Sequence, residues 1–136
     1  MTSSKQIKSK ISKEGLLTIS IEEVDIPQPN AGEVLIKVQA TPINPSDLGL
    51  LVGPADVSSL EIVEEGSKIQ MKVPESLIRS VSARFDQNLP VGNEGAGIVE
   101  AAGEGAEHLI GKVVGVAGGA MYSQYRCLPA SSCLEM

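Results

Sequence analysis

Histidine occurs once in this chain, as His108, and cysteine twice, as Cys127 and Cys133. The two cysteines are not in a CxxC arrangement, so neither a disulfide framework nor a zinc ribbon is supported, and each thiol is expected to serve as a small buried apolar group. No stretch approaches the ~18 apolar residues of a membrane-crossing helix. The first ten residues are polar and carry no apolar run behind their lysines, so no secretory leader is expected and the chain reads as cytoplasmic. Positive charge is also scarce: 11 Lys and Arg stand against 17 Asp and Glu, for a net charge of -6 and a pI near 4.8. Such a surface repels phosphate backbones and anionic lipid, so neither nucleic acid nor a membrane is expected as a partner. Partners should be neutral, small or local.

What is present is the composition of one ordinary globular domain over residues 1–136, 42% hydrophobic and 21% charged. Leu16 to Val24 and Glu33 to Ala40 are rich in β-branched residues and alternate in part, as strands do. The turn residues Pro27 to Gly32 between them predict a β-hairpin. Further strands are expected at Glu94 to Ala102, Lys112 to Ala117 and Ala120 to Leu128, with a last one near Ser131 to Met136. Nine of the 14 glycines lie from Gly92 onward, which suits a curled, mainly β fold with short helices, a partly open barrel.

From Pro74 to Asp86, Leu77, Ile78, Val81 and Phe85 share one helical face, predicting an amphipathic helix of about three turns that covers the sheet. The preceding Gly53 to Gly66 is acidic and reads as an irregular loop, so that about 54–88 forms an insertion. Gly95-Ala96-Gly97 and Gly103-Glu104-Gly105 each begin like GxGxxG. Glu100 and His108 stand where the third glycine belongs and no amphipathic helix follows, so they read as barrel turns rather than dinucleotide loops. His108 is expected in an exposed turn.

Pro42-Ile43-Asn44-Pro45-Ser46-Asp47 sets two prolines around a polar group just after a strand. Taken alone it is an Asx-type turn, with Asp47 capping a helix that starts at Leu48. Its rigidity equally suits a site wall. Four segments then occur in a telling order: Gly32 to Val38, Asn44 to Asp47, Gly92-Asn93-Glu94-Gly95-Ala96-Gly97-Ile98-Val99-Glu100, and Gly111 to Val116. In that order they resemble the N-terminal GroES-like domain of the medium-chain dehydrogenase/reductase superfamily, over roughly residues 16 to 135.

The resemblance implies a GroES-like β-barrel forming the substrate side of an oxidoreductase. In zinc-dependent relatives the positions matching Asn44 and Asn93 hold cysteine and histidine ligands. A carboxamide is a poor substitute for either, and the structural zinc loop is also missing, so the likeness points to the zinc-independent quinone oxidoreductase and enoyl reductase branch. It implies NAD(P)H as cofactor in the full-length relative, no zinc, and no cofactor held by this chain alone, whose cofactor-binding residues are unassigned. Asn44, Ser46 and Asn93 become the catalytic hydrogen-bond donors to a developing oxyanion. Asp47, Leu51, Glu94 and Tyr122 become cleft residues. The tyrosine that follows the Asn-Pro-Ser-Asp turn in enoyl reductases is absent from Leu48 to Ala55, which leaves Tyr122 and Tyr125 as alternatives.

A Rossmann domain is expected to follow in such a protein, and the sequence ends before one, so a truncated piece that is inactive alone is the expectation. Its partners would be a small-molecule substrate and the missing Rossmann domain, with self-association a further option. The alternatives are a free-standing, non-enzymatic GroES-like binding module that docks a partner through the 74–86 helix, or an inert fragment.

Overall fold

A computed structural model describes residues 3–136. Ten strands run in the order β1 (Ser3–Ile11), β2 (Leu16–Asp25), β3 (Glu33–Ala40), β4 (Asp56–Glu64), β5 (Lys68–Lys72), β6 (Leu89–Pro90), β7 (Glu94–Ala102), β8 (Val113–Ala117), β9 (Tyr125–Pro129) and β10 (Cys133–Glu135). Helices are short: α1 (Pro45–Leu51), α2 (Glu75–Ile78) and single 3-10 turns. The fold is mainly β, as the glycine-punctuated sequence predicts, and its strands form two antiparallel five-stranded sheets.

Two compact units can be described separately. The first comprises residues 3–6, 23–43 and 92–136, and carries the sheet ordered β10-β8-β7-β3-β9. The central strand β3 pairs with β7 on one side and with β9 on the other. Val34, Leu35 and Ile36 are buried in succession, which strict alternation would forbid. Both faces of this central strand are therefore covered here, and the register shift at the same point belongs to β7, where Glu100 is the extra residue. Val34 and Ile36 share one core with Val99, Val114, Val116, Met121 and Leu128. Gly97 is required by contact: a Cβ there would run into the backbone of Lys37.

The second unit comprises residues 7–22 and 44–91 and holds the pairings of a sheet ordered β4-β5-β2-β1-β6. Ile11, Leu17, Met71 and Val73 form its core, with Leu17 registered opposite Met71. Ile78, Val81 and Phe85 pack against them.

Several expectations change. Strands β2 and β3 do not form a hairpin; they belong to different sheets, and residues 26–32 carry the chain from one to the other. The hairpin partner of β2 is instead β1, which the polar N-terminal sequence concealed, and a turn at residues 12–15 joins them. Most of the acidic stretch before Gly66 is strand rather than loop, since β4 lies within it and pairs with β5, with register shifts between Asp56 and Glu61 and between Ile62 and Glu64. The helix at 74–86 is one α-turn followed by a 3-10 helix over Arg79–Arg84. Its apolar residues Ile78, Val81 and Phe85 face the core as the periodicity predicts, while Leu77 stays exposed. The strand expected from Ala120 begins only at Tyr125, because Ala120 has φ of 56° and turns the chain. Gly95 and Gly97 lie within β7 rather than at a turn.

Candidate functional site

The segment 42–51 combines a strand exit, a rigid turn and α1. Asn44, with extended backbone angles, is the N-cap of α1, Pro45 occupies the first turn, and Asp47 stands at the third helical position. The helix therefore starts three residues earlier than the sequence suggests, and Asp47 supports the cap rather than being it. The backbone N–H of Asn44 donates to the Asp47 carboxylate at 2.8 Å, the carboxylate arm of a capping box. Asp47 is 2% exposed, so this contact is shielded from water. Ser46 sits exposed on the first turn and Leu51 is half-buried at the last.

The other end of α1 is held by residues that sequence reasoning missed. Arg84 donates to the carbonyls of Gly49 and Leu50, at 3.1 and 3.4 Å, and Ser9 Oγ donates to Leu50. Desolvation lowers the Arg84 pKa, and its Nε has no hydrogen-bond partner. A cation at a helix C-terminus meets the negative end of the peptide dipoles, which favours this placement. In the sequence Arg84 is one of two arginines off the apolar face of the 74–86 segment, with no local sign of the carbonyls it reaches.

In the first unit, Asn93, Glu94 and Tyr122 are brought near one strand exit. The Tyr122 hydroxyl donates to the Pro42 carbonyl at 2.9 Å, and Met121 N–H donates to the Gly92 carbonyl at 3.1 Å. Gly92, at φ of 104°, leaves the space that the Tyr122 ring fills; a Cβ would lie 2.6 Å from it. Tyr122 thus lies in the turn before β9, while Tyr125 begins the strand. Asn93 is exposed, and its carbonyl accepts the Gly118 N–H at 3.1 Å. Arg126 in turn donates to the carbonyls of Gly118 and Gly119 at 3.2 and 3.0 Å, locking the loop that grips Asn93. Glu94, paired with Ala117, lines an open cleft of about 620 Å³ with Thr41, Pro42, Leu134 and Met136. The structure thus gathers Asn93, Glu94 and Tyr122 in one unit, and Asn44, Ser46, Asp47 and Leu51 on the α1 segment of the other.

Among the described residues, no group of three or more His, Cys, Asp and Glu could hold a metal ion. His108 is exposed on a 3-10 turn. Both cysteines are free and half-buried. Burial raises the pKa of both thiols, and Glu33 adds to the effect at Cys127. Little thiolate is present at neutral pH, so a disulfide reagent such as Ellman's is expected to react with the native protein several-fold more slowly than with glutathione, about 3-fold or more. The rate should climb as pH is raised through the alkaline range, and unfolding in guanidinium should abolish the difference. Two fast thiols in the native protein would contradict the packing of these side chains.

The pattern of the alcohol dehydrogenase GroES-like domain matches residues 30–136. The chain belongs to that family. This GroES-like domain is 56% identical over 39 residues to a zinc-type alcohol dehydrogenase-like protein of Schizosaccharomyces pombe, a match covering 29% of the chain and 12% of that protein. It is 35% identical over 101 residues to an alcohol dehydrogenase of Moraxella, covering 74% of the chain and 22% of the relative. Among solved structures, a Bacillus thuringiensis protein named as an NADPH:quinone reductase superimposes with a TM-score of 0.65 at 24% identity, covering 100% of the chain and 34% of its own. The GroES-like domain therefore spans between about a tenth and a third of these proteins.

Proposed function

We propose that this GroES-like domain forms the substrate side of an NAD(P)H-dependent oxidoreductase that reduces a quinone or an activated double bond without catalytic zinc. One observation carries the reading. Asparagine stands at 44 and 93, where the zinc-using members of the family place their cysteine and histidine ligands. Neutral carboxamides bind Zn²⁺ poorly and are good hydrogen-bond donors. The same substitution that removes metal ligands therefore supplies donors for an enolate or quinol oxygen.

Reduced nicotinamide, when bound, supplies the hydride. Asn44, Ser46 and Asn93 stabilise the negative charge that develops on the substrate oxygen as hydride arrives. The capping box fixes the Asn44 backbone and the Arg126-clamped loop holds that of Asn93, so each carboxamide is carried on a fixed stretch of main chain. Glu94 and Pro42 form a cleft wall that Tyr122 braces through its bond to Pro42, and water supplies the proton that neutralises the oxyanion after hydride transfer. The cofactor would be NAD(P)H held elsewhere in the whole protein, and the place of action the cytoplasm.

The test has two arms. Metal analysis of the purified chain is expected to find far less than one zinc per molecule, and one tightly held zinc would sink the metal-free reading. In the whole gene product, Asn93→Ala is expected to lower kcat for NADPH oxidation by a quinone about 10- to 1,000-fold with little change in KM. Wild-type-like turnover in that variant would remove Asn93 from the chemistry.

A further inference from the structure

We infer that the outer edge of β4 is a docking site for an extended peptide segment that alternates apolar and basic side chains. Strand β4 ends its sheet, and among the described residues no strand pairs along its outer side. It is unusually apolar for an edge, with Val57, Leu60, Ile62 and Val63 between 44% and 62% exposed. Natural edges are kept short, charged or covered because their bare N–H and C=O groups recruit another strand. At nine residues β4 is long and uncovered, but it is charged. Its pairing with β5 slips between Asp56 and Glu61 and again between Ile62 and Glu64, so the regular ladder open to a newcomer is confined to Glu61 and Ile62.

The sheet face beneath this edge is unfinished. Leu17 and Met71, registered opposite each other, are buried under Ile78, Val81 and Phe85. Two residues along, Ile19 faces Ile69 and Ile69 faces Ile62, so the same apolar face continues to the edge. There the helices no longer cover it. An open groove of about 280 Å³ remains, lined by Ile7, Ile19, Ile21, Ile62 and Ile69 with the Glu64 and Lys68 pair at its rim. A strand added beside β4 would lay alternate side chains over this groove and extend it by one column, while its backbone completed the ladder. This is the geometry of strand addition.

Charge decides the occupant. On β4 and its turn, Asp56, Glu61, Glu64 and Glu65 are all exposed. Glu61 registers with Gln70 on the face away from Ile62, and Gln70 donates to it at 3.4 Å. Lys68 and Lys72 stand opposite Glu64 and Asp56 on β5, which leaves Glu61, opposite the neutral Gln70, as the carboxylate that a newcomer about 4.8 Å from β4 meets without a facing lysine. β4 carries no lysine or arginine, so a second copy pairing along the same edge would set carboxylates against carboxylates. A segment with apolar residues toward the Ile62 side and lysine or arginine toward Glu61 satisfies both faces.

The probe is a blocked seven-residue peptide, Lys-Val-Lys-Ile-Lys-Val-Lys, carrying a fluorophore and titrated with the protein at 50 mM salt by fluorescence polarisation. Saturable binding is expected, weaker by at least about tenfold when glutamate replaces each lysine and when salt is raised to 0.5 M. N-methylation of alternate peptide nitrogens should abolish binding, since it blocks ladder formation alone. Ile62→Lys should also abolish it with the circular dichroism spectrum unchanged. Equal binding of the glutamate peptide, or indifference to N-methylation, would overturn the inference. So would a dimer in sedimentation that Ile62→Lys dissolves, which would assign the edge to a second copy.

Discussion

A Gly97→Val chain is expected to yield no cooperatively folding protein, and Gly97→Ala a protein destabilised by about 3 kcal/mol or more. The reason is the place where the new atoms would go. A Cβ at Gly97 overlaps the Lys37 carbonyl and lies 2.8 Å from the Ile36 Cγ2. The obstacle is backbone of the central strand β3, hydrogen-bonded on both sides, so no rotamer change relieves it. Chemical denaturation of the alanine variant measures the cost. Gly49→Ala is the matched control: it lies in α1 with nothing within 4 Å of a new Cβ, and should be neutral or stabilising by up to about 1 kcal/mol. Equal effects at the two glycines would show that packing against β3 does not limit position 97.

Asp47→Ala is expected to cost about 2–3 kcal/mol, and Asp47→Asn about 1 kcal/mol or less. The carboxylate accepts the Asn44 N–H at 2.8 Å while 2% exposed. Truncation therefore leaves a donor at the N-terminus of α1 without its acceptor, and it also removes an anion from the positive end of the helix. Asparagine keeps an acceptor oxygen and loses only the charge. If the proposed chemistry is right, Asp47→Ala in the whole gene product should also cut kcat more than Asp47→Asn does, because Asn44 loses its brace. Matching stabilities for the two variants would mean that the capping contact adds nothing.

How far the sequence alone led can be argued element by element. Strands β7 and β8 were legible because valine, isoleucine and glycine alternate there without competing signals, and the boundaries of β7 agree with the reading. Strand β1 was hidden: in Ser3–Ile11 the buried positions include Ser4 and Ser9, and a serine facing inward carries no hydrophobic signal. Ser9 is tolerated because its hydroxyl donates to Leu50 and accepts from Arg84, a tertiary fact without local trace. The hairpin β4–β5 was misjudged for the opposite reason, since its acidic residues resemble a solvated loop while its pairing is made by the backbone. Expecting β2 and β3 to pair failed because a proline-rich connection does not reveal whether the chain turns back or crosses to another sheet.

The candidate site was legible as residue types and not as supports. Asn44, Asp47 and Asn93 stood out through their company of proline and glycine. Their braces, Arg84 and Arg126, are single cations far along the chain whose importance depends on which carbonyls they meet. The turn read as an Asx motif became a capping box because Pro45 suits the first helical turn, which moves the helix start back to Pro45.

The position of β3 has a consequence for how this protein is made. Both of its neighbours, β7 and β9, come from sequence far downstream, so on a ribosome Val34-Leu35-Ile36 emerges long before either edge can be satisfied. Throughout that interval the strand with three successive buried apolar residues is a bare template for intermolecular pairing. Lys37 and Glu33, exposed and half-buried in the finished sheet, are then its gatekeepers, guarding solubility during synthesis.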